Sequence, residues 1–110
     1  MQKKLTEKLI QFRNERDWEQ FHDSKNLALA LSLEASELLE LFLWTKNGEL
    51  PEGKEDKLEE EVADVFAYLL FIAEKHGLDL EEITLKKIDE NAAKYPADKA
   101  RGTSLKYNEL

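Results

Sequence analysis

Two pairs of carboxylates, each spaced by three positions, carry the chemistry that this sequence suggests: Glu34 with Glu37, and Glu61 with Asp64. The first pair lies in a segment that is apolar nearly all round a helical wheel, from Leu27 to Trp44, with only Ser32, Ser36 and Glu40 forming a polar strip. Glu34 shares a sector with Leu27, Leu38 and Leu41, and Glu37 falls beside Ala30 and Leu41. Ionised carboxylates on an apolar face are costly unless something positive meets them. One buried Glu can protonate; two adjacent ones point to a cation. The second pair flanks the apolar sector Leu58, Val62, Val65, Phe66, Leu69, Leu70, Ile72 and Ala73, with Tyr68 one turn further along the same strip. Antiparallel packing of the two segments sets E-x-x-E against E-x-x-D. Four hard oxygen donors, with no His or Cys in either motif, suit Mg²⁺ or Mn²⁺ rather than Zn²⁺. No His follows Glu34 or Glu61 at the spacing of a di-iron E-x-x-H motif. Acidic pairs of this spacing also occur on solvated helix faces, the reading assigned to Glu40, Glu59 and Glu60.

The elements that position these groups are all helical in period. Only four Gly and two Pro punctuate the chain, and no alternating strand pattern is present. The first helix is expected from about Thr6 to Arg16, with Leu5, Leu9, Ile10 and Phe12/Arg13 as its stripe. Asp17 to Ser24 reads as a loop rich in cap residues and aromatics. Asp23 or Ser24 then caps a second helix from Lys25 to about Thr45. Asn47-Gly48 and Pro51-Glu52-Gly53 mark a surface loop. A third helix starts near Glu55 or Asp56 and ends at His76, with Gly77 as a left-handed cap. Asp79 and Glu82 form a D-x-x-E capping box for a fourth helix, which reaches about Tyr95 and stops at Pro96. Residues 97–110 show no clear period.

Length and composition narrow the function classes. The 110 residues suit a single all-α domain with one modest core, and 42% apolar content argues against disorder. There is no cysteine, which removes disulfides, thiolate metal sites and cysteine nucleophiles. A net charge of -8 and a pI near 4.8 argue against a broad grip on nucleic acid. No signal sequence or membrane span is apparent, so the expectation is a cytoplasmic protein.

The two acidic motifs together resemble the MazG-like all-α nucleoside triphosphate pyrophosphohydrolases, whose signature is E-E-x-x-E, a spacer, then E-x-x-D. Leu33 replaces the first Glu here, as in the branch of the family that includes dCTP pyrophosphatase. The resemblance to that branch runs along most of the chain. It takes in the runs from Glu15 to His22, Asn26 to Leu31 and Glu37 to Phe42 with Trp44. It continues through Glu60-Glu61, Asp64-Val65 with Tyr68-Leu69, Tyr95-Pro96-Ala97 and Lys106-Tyr107. It implies a four-helix-bundle-like fold spanning 1–110, with 96–110 as a C-terminal tail, assembled as an obligate oligomer. It also implies Mg²⁺-dependent hydrolysis of a nucleoside triphosphate to the monophosphate and pyrophosphate, with Glu34, Glu37, Glu61 and Asp64 as metal ligands. Physical chemistry agrees, since divalent ions must lie between clustered carboxylates and a polyanionic triphosphate.

A base requires a flat apolar slot, for which Trp18, His22, Trp44 and Tyr68 are the candidates; the resemblance places them in a pyrimidine pocket. Core packing for Trp44 and Tyr68 and a capping role for His22 are the alternatives. Asn91 matches a polar residue near the sugar or base, or is simply exposed. Lys87, Lys94, Arg101 and Lys106 are candidates for phosphate oxygens, or solvate the surface. Two functions remain: a pyrophosphohydrolase acting on dCTP or a modified dCTP, or a non-catalytic helical oligomerisation or antitoxin-like module. The apolar second helix requires burial by another subunit in both. The resemblance implies a homotetramer built as a dimer of dimers.

Overall fold

Asp23 starts the helix that carries the first acidic pair. Its carboxylate accepts the backbone N–H of Asn26 at 2.7 Å, which answers one of the donors left open at a helix start. The computed structural model of the chain describes residues 2–110, in which there are helices and no strand. Residues up to Gly77 make one compact unit and Leu78–Leu110 a second.

The first unit holds α1 (Gln2–Glu15), α2 (Ser24–Glu40) and α3 (Glu55–His76). α1 begins four residues earlier than its apolar stripe indicates, because Gln, Lys and Leu all favour helix and no breaker precedes Thr6. α2 and α3 are antiparallel: Ser24 Oγ at the start of α2 lies 2.9 Å from His76 Nε2 at the end of α3. α1 packs on α3 as well, through an Arg13–Glu74 ion pair at 3.7 Å. The buried apolar core is Leu27 of α2 with Leu70, Phe71 and Ala73 of α3.

α2 ends at Glu40 rather than near Thr45, which corrects the sequence reading. The N–H groups of Leu41, Phe42 and Leu43 reach back only three residues, so the helix tightens into a turn. Thr45 Oγ1 donates to the Phe42 carbonyl at 3.0 Å, and Thr45 itself is extended. Apolar periodicity continues through Trp44 while the helical ladder does not. Burial differs too: within this chain Leu27 is the one buried residue of α2, whereas Leu29, Leu33 and Leu39 are exposed. α3 matches its expected limits, closed by Gly77 at φ 64°, the left-handed region where a Cβ is unfavourable.

The second unit starts with α4 (Leu80–Lys94), where the Asp79 carboxylate accepts from the Glu82 N–H at 3.0 Å. The tail is more ordered than its lack of period indicates. α5 (Ala97–Ala100) follows Pro96, and the Tyr107 ring takes the edge of Tyr95 at 6.3 Å and the Lys94 ammonium at 5.1 Å. No helix among the described residues is long and apolar enough to cross a membrane.

Candidate metal and nucleotide site

Antiparallel packing of α2 on α3 brings together three of the four expected carboxylates. Glu34, Glu61 and Asp64 each offer an oxygen, and these oxygens lie within 4.8 Å of one another. Glu61 is buried, Glu34 half-buried and Asp64 exposed. Glu37 is exposed and stands outside this triad, close enough to Glu34 to shift its titration. Burial, then the nearby carboxylates of Glu37, Asp64 and Glu61, push the Glu34 carboxyl up to about 7. Glu34 therefore resists ionisation without a counter-charge.

Part of that charge comes from Lys57, one turn before Glu61 on α3, whose Nζ lies 2.9 Å from Glu61 Oε1. The other oxygen of Glu61 and one oxygen of Glu34 are buried without a hydrogen-bond partner among the described residues. Buried carboxylate oxygens are rarely left so. A hard divalent cation fits this donor set: oxygen ligands only, two of them unsatisfied, with high local negative charge. Lys57 was not singled out in the sequence, although its i, i+4 spacing to Glu61 was there to be read.

Beside the triad lies a cavity of about 270 Å³ lined by Trp18, His22, Asp64 and Tyr68, together with Leu9 and Phe12 of α1. Three of the four candidates for a base slot therefore meet at one place, and Asp64 is in its wall. Phe12 meets Trp18 edge-on at 5.7 Å, and His22 meets Phe71 at 4.9 Å. Burial, then the charges of Arg13 and Lys75, hold the His22 imidazole below its ordinary value, so it stays neutral further into acid. Its Nδ1 is buried without a hydrogen-bond partner among the described residues. Burial and the Glu34 and Asp64 charges keep the Tyr68 hydroxyl protonated. Leu9 and Phe12 read in the sequence only as a core stripe; their part in the slot depends on how α1 lies on α3.

Trp44 is not in this slot. It is 93% exposed and lines a larger cleft that also includes Glu37, Lys57 and Glu61. The early end of α2 is the reason, since the turn after Glu40 carries Trp44 off the helical wheel. The remaining candidates belong to the second unit. Lys87 reaches Glu90 at 3.4 Å, Asn91 is exposed with its carbonyl accepting from Tyr95, and Arg101 is exposed just after α5. Glu40, Glu59 and Glu60 are exposed, as read.

A model of the MazG-like family matches residues 29–110 of this chain. The chain belongs to the MazG-like family. The matched span includes both acidic pairs of the MazG-like signature, while Trp18 and His22 precede it. The chain is similar to dCTP pyrophosphatase 1 of Homo sapiens, 47% identical over 105 residues that cover 91% of this chain and 62% of that protein. Its similarity to dCTP pyrophosphatase 1 of Mus musculus is 41% over the same coverage. This MazG-like chain thus spans about 62% of the length of the curated relatives it matches. Among solved structures it resembles a pyrophosphatase from Archaeoglobus fulgidus, with a TM-score of 0.73 and 36% identity over 86% of this chain and 91% of that one.

Proposed function

We propose that this MazG-like chain hydrolyses a deoxynucleoside triphosphate, dCTP or a modified dCTP, to the monophosphate and pyrophosphate, removing surplus or damaged nucleotide in the cytoplasm. The observation that carries the reading is the double place of Asp64, in the carboxylate triad and in the wall of the aromatic cavity. The names of the relatives support it.

Glu34, Glu61 and Asp64, with Glu37 beside them, are the proposed ligands of Mg²⁺ or Mn²⁺. When bound, the divalent ion neutralises phosphate charge and lowers the pKa of water. Trp18 and Tyr68 offer ring faces to the base, and neutral His22 offers it a hydrogen-bonding edge. A base held there leaves the α-phosphorus as the phosphorus nearest Asp64. Water attacks that phosphorus, one carboxylate takes its proton, and pyrophosphate leaves. Trp44 is a proposed substrate contact from its own cleft; Asn91, Lys87 and Arg101 are proposed contacts to sugar and phosphate on resemblance alone. The exposed Leu29, Leu33 and Leu39 support assembly into an oligomer, a tetramer of single-domain chains.

The deciding experiment is a screen of the eight common NTPs and dNTPs with Mg²⁺ and with Mn²⁺, followed by hydrolysis in ¹⁸O water. The expected result is preference for dCTP-type substrates, with label in dCMP and none in pyrophosphate. Formation of dCDP and orthophosphate overturns the mechanism. No turnover of any nucleotide favours the non-catalytic helical module instead.

A further inference from the structure

The loop that carries Trp18 and His22 sets the His22 ring against Phe71 of α3 at 4.9 Å and puts Trp18 in the wall of the same cavity. Asp17 within it sits at φ 53°, in the left-handed region that Asp and Asn adopt more readily than most L-residues. Arg13, near the end of α1, meets this loop through both its backbone and its side chain. It is 8% exposed although it is an arginine on a short surface helix. Its carbonyl accepts the N–H of Arg16 at 3.2 Å and that of Trp18 at 3.1 Å, which closes the turn directly onto the tryptophan. Its guanidinium reaches Glu19 of the loop and Glu74 of α3, each at 3.7 Å. Glu19 in turn accepts the His22 N–H on its carbonyl at 3.0 Å. The Arg13 backbone thus closes the turn onto Trp18, while its side chain ties Glu19, whose carbonyl holds the His22 N–H, to Glu74 of α3.

The cavities support the same connection. His22 separates two of them: the aromatic slot, and a second of about 190 Å³ lined by Arg13, Glu19, Glu74 and Lys75. Arg13 lines only the second cavity and Asp64 only the first, with His22 in the wall of both. We propose that Arg13 is a positioning residue of the base slot, setting Trp18 and His22 against α3 through Glu19 and Glu74 without itself touching the nucleotide. The proposal rests on the reading of the slot given above. Charge fits the arrangement. One buried guanidinium answers two carboxylates, and removal of it frees both to face His22. The titratable groups lining the cavities around that ring are then Glu19 of the loop and Glu74, Lys75 and Asp64 of α3, with no α1 cation among them.

The test compares Arg13→Gln, Arg13→Lys and Glu74→Gln with the unaltered chain in dCTP hydrolysis, and follows the His22 ring by NMR across pH. The chain has two histidines, so the signals are assigned with His22→Gln. Arg13→Gln is expected to raise KM about tenfold with kcat little changed, the sign of lost ground-state positioning rather than lost chemistry. Arg13→Lys is expected to recover most of that loss, and Glu74→Gln to show a smaller one. The His22 titration is expected to move upward in Arg13→Gln. An unchanged KM, or a fall in kcat that only tracks the folded fraction in melts of each variant, overturns the proposal. If the unaltered chain turns over no nucleotide, the function reading fails by itself. The His22 titration then decides for Arg13, and an unmoved midpoint overturns its role.

Discussion

Glu34 carries a pH dependence imposed by its neighbours. Its carboxyl lies at about 7 in the folded chain, against an ordinary value of 4.5. The folded protein therefore holds a proton in that interval which the unfolded chain has released. The resulting stability is fully present below the ordinary value and is lost as pH rises through about 7. A metal ion requires the ionised form, so its affinity rises over the same interval. Melting in EDTA should show Tm falling between about pH 5 and pH 8, with a smaller fall in Mg²⁺ and none of this component in Glu34→Gln. The carboxylates should also separate by role. Glu34→Gln, Glu61→Gln and Asp64→Asn should each lower kcat by roughly 100-fold or more, the scale of losing one preorganised electrostatic contact, in a chain that remains folded. Glu40→Gln and Glu59→Gln, both on exposed positions, should act like the unaltered chain.

Along α3, a single turn joins a solvated cation to a buried anion. Lys57 Nζ holds Glu61 at 2.9 Å, and Glu61 is only 2% exposed. Without Lys57 the metal-free helix keeps a buried carboxylate with less compensation. Lys57→Met should lower Tm in EDTA, and Mg²⁺ should restore more stability than it does in the unaltered chain, because the cation no longer competes with an ammonium for the same oxygen. Equal melting of the two proteins in EDTA would show that Glu61 takes no support from this turn. α2 depends on its start in a comparable way. Asp23→Ala removes the acceptor for the Asn26 N–H and should destabilise the chain by about 1 kcal/mol in denaturant melts.

At the scale of the whole molecule, several large apolar side chains of α2 and the turn after it are exposed within this chain. Leu33 is 66% exposed and Leu39 61% exposed, both on α2, beside the 53% exposed Leu43. Exposed apolar side chains gathered on one helix mark a surface that another chain can cover. Sedimentation of the unaltered chain should therefore give an oligomer, and Leu33→Glu should shift it toward smaller species. A monomer in both cases would remove the assembly from the proposed function. A cation held by the proposed carboxylate site would bind only the folded state, so millimolar Mg²⁺ should raise Tm over EDTA by mass action whatever the assembly.

Features that depend on a few adjacent residues were legible in the sequence. Asp23, Gly77 and Asp79 mark helix ends by local hydrogen bonding and backbone preference, and α3 lies where those signals put it. The two acidic pairs were legible for the same reason, since i, i+3 spacing places each on one face of its own helix. The end of α2 was not, because the apolar period runs on to Trp44 after the hydrogen-bond ladder has stopped at Glu40. Nor was the membership of the triad, in which Glu37 stands outside and Lys57 takes one oxygen of Glu61. Arg13 read only as a position on the apolar stripe of the first helix, and its burial with ion pairs to Glu19 and Glu74 was not legible there. Spacing along a chain determines which side chains share a helix face. Which faces meet, and which charge reaches which carboxylate, is decided by how α1 and α2 lie against α3, and that depends on contacts between residues far apart in sequence.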